Sequence, residues 1–289
     1  EAEAQIISEL GKFLLDISLY KGARPVLWSV VEKTALADAE VEYEDHTSNT
    51  IYVKFKVTKS LINELVDTNI VIWTTTPWTI PGNRAVAYGK DLEYSLIEII
   101  KTNEKSLANI GEKLIIADEL KSQVLAEIGI DESKIIKKFF GKNLEGTECE
   151  HPFKSLGYNF IVRALEGDFV NLEQGTGIVH IAPGHGADDY ILGIKNDVDV
   201  IQTVEDDGKY NHHAVGFEGE HVYKVDQKIA DKLKEFKKLL HQGTLRHSYP
   251  HSWRSKAPLI FRNTPQWFIS MDKKDLREKA LKSIDETIF

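Results

Sequence analysis

Two polar segments contain the residues best suited to chemistry. The first, residues 73–81, reads WTTTPWTIP and directly follows the apolar run 70–72. Each threonine hydroxyl can donate and accept a hydrogen bond, so the group can hold a water or a polar ligand without a charge. The segment lies where a strand is predicted to end, and such places commonly carry binding groups on a rigid scaffold. We therefore predict one wall of a polar pocket here. Its hydroxyl groups belong to Thr74, Thr75, Thr76 and Thr79.

The second segment, residues 175–190, reads GTGIVHIAPGHGADDY and predicts a strand, a turn and a helix. The strand ends near His180, and Asp188 and Asp189 fall in the first turn of the helix. There the helix dipole favours an ionised carboxylate by about 0.3–1 kcal/mol. A carboxylate at this place can bind a cationic group of a ligand, and it can equally cap the helix. Two adjacent aspartates leave room for both roles.

Composition narrows the class of protein. The chain has 289 residues, 42% of them hydrophobic, and a net charge of −9, which is the opposite of a general nucleic-acid-binding protein. Contacts with a nucleic acid would have to be local. The longest apolar runs have the length of strands, which predicts no membrane span. A single cysteine, Cys149, excludes an internal disulfide and fits a cytoplasmic protein.

The spacing of apolar residues predicts many short strands and a few helices. Helices are predicted at 1–20, 117–128, from 187, at 225–242 with Gly243 as its stop, and at 273–284. Strands are predicted at 51–57, 71–74, 85–88, 94–100, 114–117, 135–140, 159–164, 177–182 and near 200–204. We therefore expect an α/β fold, with a mixed β-sheet or partly closed β-barrel as the core and peripheral helices.

Several longer motifs identify a resemblance. They are KGARPV at 21–26, ALADAEVEY at 35–43, HSYPHSWR at 247–254 and TPQWF at 264–268. Together with the two polar segments, they resemble the editing domain of class I aminoacyl-tRNA synthetases, of the bacterial isoleucyl-tRNA synthetase type. Neither the HIGH-type nor the KMSKS-type motif of adenylate synthesis is found in these residues.

The resemblance implies a piece of a larger synthetase in three parts. Residues 1–43 would be a helix and connecting arm from the catalytic domain, residues 44–244 the editing domain, and residues 245–289 the return arm. The implied activity is hydrolysis of valine from misacylated tRNA(Ile), and in addition from valyl-adenylate. Isoleucine and valine differ by one methylene, worth only about 1–3 kcal/mol of discrimination, and the isoleucyl enzyme is itself the standard example of this limit. The implied partners are the 3′ end of tRNA(Ile), valine and the catalytic domain of the same enzyme.

The resemblance also implies roles for residues of the two polar segments. Thr74, Thr75 and Thr76 would orient the attacking water, and Asp189 would bind the α-ammonium group. His180 would be the side wall that rejects isoleucine; a general base and a core histidine are the alternatives. The remaining predicted substrate-binding residues are Trp73 and Trp78, which pack or stack on adenine, Thr79, and His185, which shapes the turn or contacts the tRNA end.

We expect neither a cofactor nor a metal. The spacing of His180, His185 and the two aspartates matches no zinc motif. Relatives of this type carry two Cys-x-x-Cys pairs in the arms. The matching positions here are Ser29 with Glu32 and Ser252 with Ser255. Without thiolates we expect no structural zinc, and arms held by packing around Trp28 and Trp253.

No side chain is paired as an obvious nucleophile and base. Cys149 is expected in a polar loop with only His151 near it, so water attack is favoured. Two rival functions remain. The chain would otherwise be a noncatalytic module that binds the tRNA 3′ end, or a metallohydrolase built on His180, His185 and Asp189.

Overall fold

The computed structural model describes residues 1–288, which form helices, strands and short single turns. The helices are α1 (Ala2–Leu15), α2 (Lys121–Glu127), α3 (Ala187–Lys195), α4 (Asp226–Glu235) and α5 (Leu276–Glu286). The strands are β1 (Leu19–Ser29), β2 (Thr34–Ala35), β3 (Val41–Lys59), β4 (Asn69–Thr74), β5 (Ala85–Tyr88), β6 (Glu93–Thr102), β7 (Lys113–Ala117), β8 (Ile130–Phe140), β9 (Glu148–Glu150), β10 (Ile161–Glu166), β11 (Ile178–Ile181), β12 (Leu239–Ser252) and β13 (Ile260–Ile269).

The described chain divides into two compact units. The smaller unit comprises residues 1–24 and the segment that follows residue 262. It contains α1, α5 and the outer parts of β1 and β13, and no residue of either helix is buried. The larger unit is residues 25–262 and contains the core and both polar segments. The predicted domain boundaries after residues 43 and 244 lie within β3 and β12, and they stay predictions.

The larger unit is built on a ten-stranded mixed sheet. Its strand order is β11-β5-β10-β9-β3-β4-β7-β6-β8, and β12 pairs with β3 off this path. Two neighbouring pairs, β10 with β5 and β4 with β7, are parallel; the rest are antiparallel. The sheet stays open, with β11 and β8 at its ends. The predicted mixed sheet with peripheral helices is therefore confirmed, and the alternative of a partly closed barrel is not what forms.

Strand β3 organises the core because it is nineteen residues long and pairs with β12, β4 and β9. The alternating residues Ile51, Val53 and Phe55 are completely buried, as their period predicts. Lys54 on the opposite face is also buried, and its ammonium group contacts the Glu112 carboxylate at 2.8 Å. Both faces of this part of the sheet are thus covered.

Three element predictions are wrong. The helix predicted at 225–242 ends at Glu235, because Lys237 takes a left-handed conformation (φ 56°) and the chain then enters β12. Gly243 pairs with Thr50 within that strand and does not stop a helix. Residues 200–204 form no strand; Val204 makes one isolated bridge, to Tyr210. Within residues 1–288, no helix is both long and apolar enough to cross a membrane.

Candidate active site

The threonine segment is a tight loop held against the sheet. Strand β4 ends at Thr74, and residues 77–82 form a short 3₁₀ turn in which every residue is buried. Pro77 suits the start of this turn because its φ is already set and it has no N–H to satisfy. The two polar segments meet here. The Thr176 hydroxyl, just before β11, donates to the Val71 carbonyl of β4 at 2.7 Å.

Three of the four threonine hydroxyls form one hydrogen-bonded chain, which we call the threonine cluster (Thr74, Thr76 and Thr79). The Oγ1 atoms of Thr74 and Thr76 are 3.1 Å apart, and those of Thr76 and Thr79 are 3.3 Å apart. The Thr76 N–H donates to Thr74 Oγ1 at 3.1 Å. Thr79 Oγ1 also lies 2.7 Å from His180 Nε2 on β11. The threonine cluster is therefore hydrogen-bonded to His180, and the separate roles predicted for these residues stay predictions.

The hydrogen bonds of His180 define its tautomer. Asn83 Nδ2 lies 2.8 Å from the Ala85 carbonyl, which identifies it as the donating nitrogen, and it also lies 3.0 Å from His180 Nδ1. Nδ1 therefore accepts, and Nε2–H donates to Thr79, whose hydroxyl donates to the Thr76 carbonyl. Burial, with a smaller effect of His185, lowers the pKa of His180 to about 3. The ring is neutral at pH 7 and both of its nitrogens are engaged, which disfavours a general base.

Asp189 is fixed at the end of the strand that carries His180. The Ala182 N–H donates to Asp189 Oδ2 at 2.7 Å. A Cβ at Gly186 would lie 2.8 Å from Asp189 Cγ, so only glycine lets the carboxylate fold back over the turn. Burial and the neighbouring Asp188 raise the pKa of Asp189 to about 6, against the effect of the Ala182 hydrogen bond. Asp188 is exposed. The two aspartates thus differ in burial, and Asp189 lacks a cationic partner among its described hydrogen bonds and ion pairs. The roles predicted for them stay predictions.

His185 packs against the threonine loop and is itself held by two hydrogen bonds. Its Nδ1 lies 3.0 Å from the Phe261 carbonyl and its Nε2 lies 2.7 Å from Thr203 Oγ1. A Cβ at Gly82 would approach His185 Cδ2 to 2.8 Å, and the Trp78 ring meets the imidazole edge to face, with centroids 5.1 Å apart. Burial lowers the pKa of His185 to about 4. These contacts hold the turn in place, and the predicted contact of His185 with the tRNA end stays a prediction.

Two small cavities border the threonine loop, and Thr75 lines both. The first, of about 230 Å³, also contacts Thr76, Trp78 and Asp226. The second, of about 250 Å³, lies between the end of β4 and residues 174–179, and is lined by Trp73 and Thr74. The two tryptophans predicted to bind substrate therefore face different cavities. Trp73 is half-buried and Trp78 is buried.

Sequence reasoning missed Asn83 and Asp226. Asn83 is completely buried and orients His180, and its position in the Pro-Gly-Asn sequence after the threonines was the available signal. Asp226 begins α4, some 150 residues beyond the loop whose cavity it lines. No local motif marks it, because the contact depends on how α4 packs.

A second cluster of hydroxyls occupies the positions where the resemblance places zinc ligands. The Ser29 hydroxyl donates to Glu32 Oε2, and the Ser252 hydroxyl donates to Glu32 Oε1 at 3.0 Å. Burial raises the pKa of Glu32, but hydrogen bonds from Ser255 and Ser252 outweigh it and leave the pKa below its usual range. We call Ser29, Ser252 and Ser255 the serine cluster. The carboxylate already fills the centre of this cluster, and hydroxyl groups are poor zinc ligands, so the residues do not fit a structural zinc.

Two further predictions about side chains are wrong. Trp253 is 46% exposed, so it does not anchor the packing there, whereas Trp28 is buried beneath the Arg262 guanidinium. Cys149 lies in β9 and not in a polar loop, and burial raises the pKa of its thiol to about 12. It is therefore no thiolate nucleophile at neutral pH. In residues 1–288, no three His, Cys, Asp or Glu side chains are grouped so that they could hold a metal.

The chain is similar to known proteins in sequence and in fold. A family model described as tRNA synthetases class I (I, L, M and V) matches residues 1–289. The isoleucine–tRNA ligase of Pelagibacter ubique (strain HTCC1062) is 55% identical over 289 residues, which are 100% of this chain and 32% of that protein. The isoleucine–tRNA ligase of Gluconobacter oxydans (strain 621H) is 47% identical over 302 residues, again covering 100% and 32%. The chain thus spans about a third of the length of these relatives.

A solved structure resembles the fold. The crystal structure of GlLeuRS-CP1 superimposes with a TM-score of 0.51 and 14% sequence identity, and the match covers 67% of this chain and 99% of that one. At that identity the likeness concerns the fold alone. It is consistent with the open mixed sheet described above.

Proposed function

Because the chain belongs to the class I tRNA synthetases (I, L, M and V), we propose that it is an editing module of isoleucyl type that hydrolyses valine from misacylated tRNA(Ile). The observation that carries the proposal is the threonine cluster hydrogen-bonded to a neutral His180, with the Asp189 carboxylate held by the N–H of Ala182, one residue beyond the end of the same strand. This arrangement combines neutral hydrogen-bonding groups for an ester with an anion for an ammonium group. Valyl-adenylate, which carries the same α-ammonium group, is a second proposed substrate.

The reaction we propose is attack of water on the ester carbonyl. The buried Cys149 thiol and the engaged nitrogens of His180 support a route without a protein nucleophile. The Thr79 hydroxyl donates to the Thr76 carbonyl, so Thr76 donates to Thr79 and Thr74 donates to Thr76, and the Oγ1 atoms of Thr74 and Thr76 each keep one acceptor position for a water O–H. Thr76 lines the first cavity and Thr74 the second, so a water bound by them would lie beside an ester held in either cavity.

Asp189 is proposed to bind the α-ammonium group of the amino acid. Its raised pKa means that burial disfavours the charged form, and a cation in contact with it would recover that cost. Below a pH of about 6 the carboxylate becomes protonated and loses this attraction. Asp188, which is exposed, has no such role.

His180 is proposed to exclude isoleucine by its bulk. It is 7% exposed and held by Asn83 and Thr79 from either side, so its ring cannot swing aside without breaking two hydrogen bonds. A rigid wall discriminates by size better than a mobile one. The discrimination available for one methylene is about 1–3 kcal/mol.

The partners follow from the proposed reaction. The 3′ end of tRNA(Ile) would bring valine to the site, and Trp73 and Trp78 each line one of the two cavities open to it. The flanking residues 1–43 and 245–289 are proposed to connect to the catalytic domain of the same enzyme. We propose a cytoplasmic location, since protein synthesis supplies the substrate there.

A deacylation assay tests the proposal. Purified protein is mixed with valine-charged and isoleucine-charged tRNA(Ile), and release of each amino acid is measured. We expect release of valine and not of isoleucine. Asp189→Ala should abolish valine release while Asp188→Ala, its matched neighbour on α3, should change it little. Valine release by both variants alike would contradict the role of Asp189.

The same assay separates the rival functions. Binding of tRNA without release of valine would indicate a noncatalytic module. Activity that is lost on chelation and restored by a divalent metal would indicate a metallohydrolase. The geometry does not favour the latter, because the nitrogens of His180 and His185 are engaged with protein groups.

A further inference from the structure

His151 is a buried titratable side chain that the proposed reaction does not use. It directly follows β9, is completely buried, and lies 71 residues beyond Ile80 of the threonine loop. Aromatic rings pack around it. The Tyr158 ring stacks on the imidazole with centroids 4.6 Å apart and planes 11° apart, and the Phe160 ring centroid lies 5.3 Å from it. An imidazole in such a place needs a hydrogen-bond partner for each of its nitrogens.

Two backbone groups fix the tautomer of His151. The Phe153 N–H donates to Nδ1 at 3.1 Å, so Nδ1 is the accepting nitrogen. Nε2 therefore carries the hydrogen and donates to the Ile80 carbonyl, also at 3.1 Å. Burial, against the effect of the Ile80 carbonyl, holds the pKa of His151 well below its usual value. The ring is thus neutral at pH 7, and this hydrogen bond keeps one direction.

The Ile80 carbonyl occupies a central place in the threonine loop. It also accepts the Asn83 N–H at 3.0 Å and so closes the end of the short 3₁₀ turn. Thr79, which precedes Ile80, and Asn83, which follows it, are both hydrogen-bonded through their side chains to His180. The hydrogen bond from His151 therefore reaches the segment that holds His180 in position.

We propose that His151 is a positioning residue that determines how strictly the site separates valine from isoleucine. This inference rests on the proposed function, in which His180 is the wall that rejects isoleucine. His151 is completely buried and acts only through the loop, because it fixes the carbonyl of the turn from which Thr79 and Asn83 hold the His180 ring. Without this donor the carbonyl loses a buried hydrogen bond and the turn opens more often, so the ring can shift and admit the larger side chain.

Two matched variants separate this role from simple loss of stability. His151→Phe keeps an aromatic ring in the cluster but removes the donor to the Ile80 carbonyl. Tyr158→Phe removes a different hydrogen bond of the same cluster, from the Tyr158 hydroxyl to the Val215 carbonyl at 3.2 Å, which lies outside the threonine loop. We expect both to lower the melting temperature, and only His151→Phe to raise the rate of isoleucine release relative to valine release, by at least about threefold. An unchanged ratio in a folded His151→Phe, or an equal rise in Tyr158→Phe, would overturn the proposal.

Hydrogen exchange tests the positioning itself without any hydrolysis. Deuterium uptake is measured by mass spectrometry in a peptide spanning residues 74–83, in which the N–H groups of Thr79 and Asn83 donate within the turn. We expect this uptake to be about 2- to 10-fold faster in His151→Phe, as loss of one net hydrogen bond allows, and unchanged in Tyr158→Phe. Equal uptake in the two variants would overturn the proposal.

Two amide variants divide the hydrogen bonds of the ring and keep the test valid if His151→Phe does not fold. The longer side chain of His151→Gln retains an N–H donor with a reach similar to that of Nε2. The shorter side chain of His151→Asn retains only an acceptor near the place of Nδ1. We expect His151→Gln to keep the substrate ratio and the uptake close to those of the unmodified protein, and His151→Asn to change both; equal behaviour or the reverse order would overturn the proposal.

The two measurements fail independently. An unmodified protein that releases no valine would reject the proposed function, and deuterium uptake would still decide whether His151 positions the loop. Normal release of valine, with the same substrate ratio and the same uptake in all folded variants, would reject only the role of His151.

Discussion

The larger unit contains two clusters of hydroxyl groups, each hydrogen-bonded to one titratable side chain. The threonine cluster surrounds His180, which is 7% exposed and neutral because burial lowers its pKa to about 3. The serine cluster surrounds Glu32, which is half-buried and ionised because hydrogen bonds lower its pKa. Similar side chains thus produce a neutral centre in one place and an anionic centre in the other.

The two clusters also differ in how completely their hydroxyls are used. Ser252 donates to Glu32 and accepts from the N–H groups of Arg254 and Ser255, and Ser29 donates to Glu32 and accepts its N–H. In the threonine cluster, the Thr79 hydroxyl donates to the Thr76 carbonyl, so the hydrogen bonds run from Thr74 to Thr76 to Thr79, and Thr74 and Thr76 each keep one acceptor position free. A hydroxyl whose positions are all used, such as that of Ser252, stabilises the chain, whereas a free acceptor beside a cavity can receive a hydrogen bond from a ligand. The charge of the central side chain and the acceptor positions left free beside the threonine loop therefore distinguish the two clusters.

The largest expected effect is a change of substrate at the threonine cluster. His180→Ala should permit hydrolysis of isoleucyl-tRNA, raising its rate at least about tenfold, while valyl-tRNA hydrolysis survives. The reason is that removal of the ring opens the wall by several heavy atoms. Steady-state deacylation of both substrates measures it.

If His180 is instead a general base, the same substitution gives the opposite result. His180→Ala would then slow hydrolysis of both substrates, by about 10²- to 10⁴-fold. Loss of both reactions in a variant with an unchanged melting temperature would contradict the proposal that His180 excludes isoleucine by its bulk. Glu32→Ala serves as the control from the other cluster and should leave the ratio of the two substrates unchanged.

The pH dependence of activity should reflect Asp189 and not His180. As pH falls below about 6, Asp189 becomes protonated, so kcat/KM for valyl-tRNA should fall about tenfold per pH unit. Because the pKa of His180 is about 3, no second inflection near 6.5 is expected. A pH profile from 4.5 to 8 tests this, and an inflection near 6.5 that disappears in His180→Asn would assign the titration to the histidine.

The raised pKa of Asp189 also predicts how the stability of the protein changes with pH. A folded pKa raised above the unfolded value of 3.8 means that the contribution of Asp189 to stability is full below that value and is lost as pH rises through about 6. The unmodified protein should therefore lose stability between pH 4 and pH 7 relative to Asp189→Asn. Urea unfolding of both proteins at several pH values measures the difference, and parallel curves would show that the carboxyl is not buried in this way.

A smaller effect is expected at the serine cluster. Glu32→Ala should lower the free energy of unfolding by about 1–2 kcal/mol, because it leaves the hydroxyls of Ser29 and Ser252 without their acceptor. Glu44→Ala, an exposed carboxylate on β3, is the control. The lowered pKa of Glu32 means that this stabilisation is present above its unfolded pKa and is lost as pH falls. Unchanged stability in Glu32→Ala would show that the cluster does not hold the chain.

The smallest expected effect is that of metal removal. The serine cluster offers a carboxylate and hydroxyls in place of thiolates, so the purified protein should contain no stoichiometric zinc, and chelation should alter neither stability nor valine release. Elemental analysis and melting curves with and without a chelator measure this. One tightly held zinc for each chain would contradict the account of Glu32.

Much of the candidate site was predictable because it is local in sequence. Thr74, Thr76 and Thr79 lie within six residues, and the Gly186 turn places Asp189 where helix geometry requires it. The pairing of the two polar segments came from the family resemblance, because no short-range pattern brings Thr79 to His180, 101 residues away. Asn83 and Asp226 were not predicted to belong to the site for the same reason. An asparagine in a turn and an aspartate at a helix start are common, and only packing shows that one orients an imidazole and the other lines a cavity.

The sequence by itself determined most strands of the large sheet, although not β9 and β12, together with the residues that carry hydroxyls and carboxylates and the absence of thiolates at 29, 32, 252 and 255. These are properties of residue type and short-range period. Only the tertiary structure decided the protonation states, because the pKa values of His180, Asp189 and Glu32 depend on burial and on partners distant in the chain. It also decided that residues 239–242 leave the predicted helix for β12, where antiparallel pairing with β3, distant in the chain, satisfies their backbone groups.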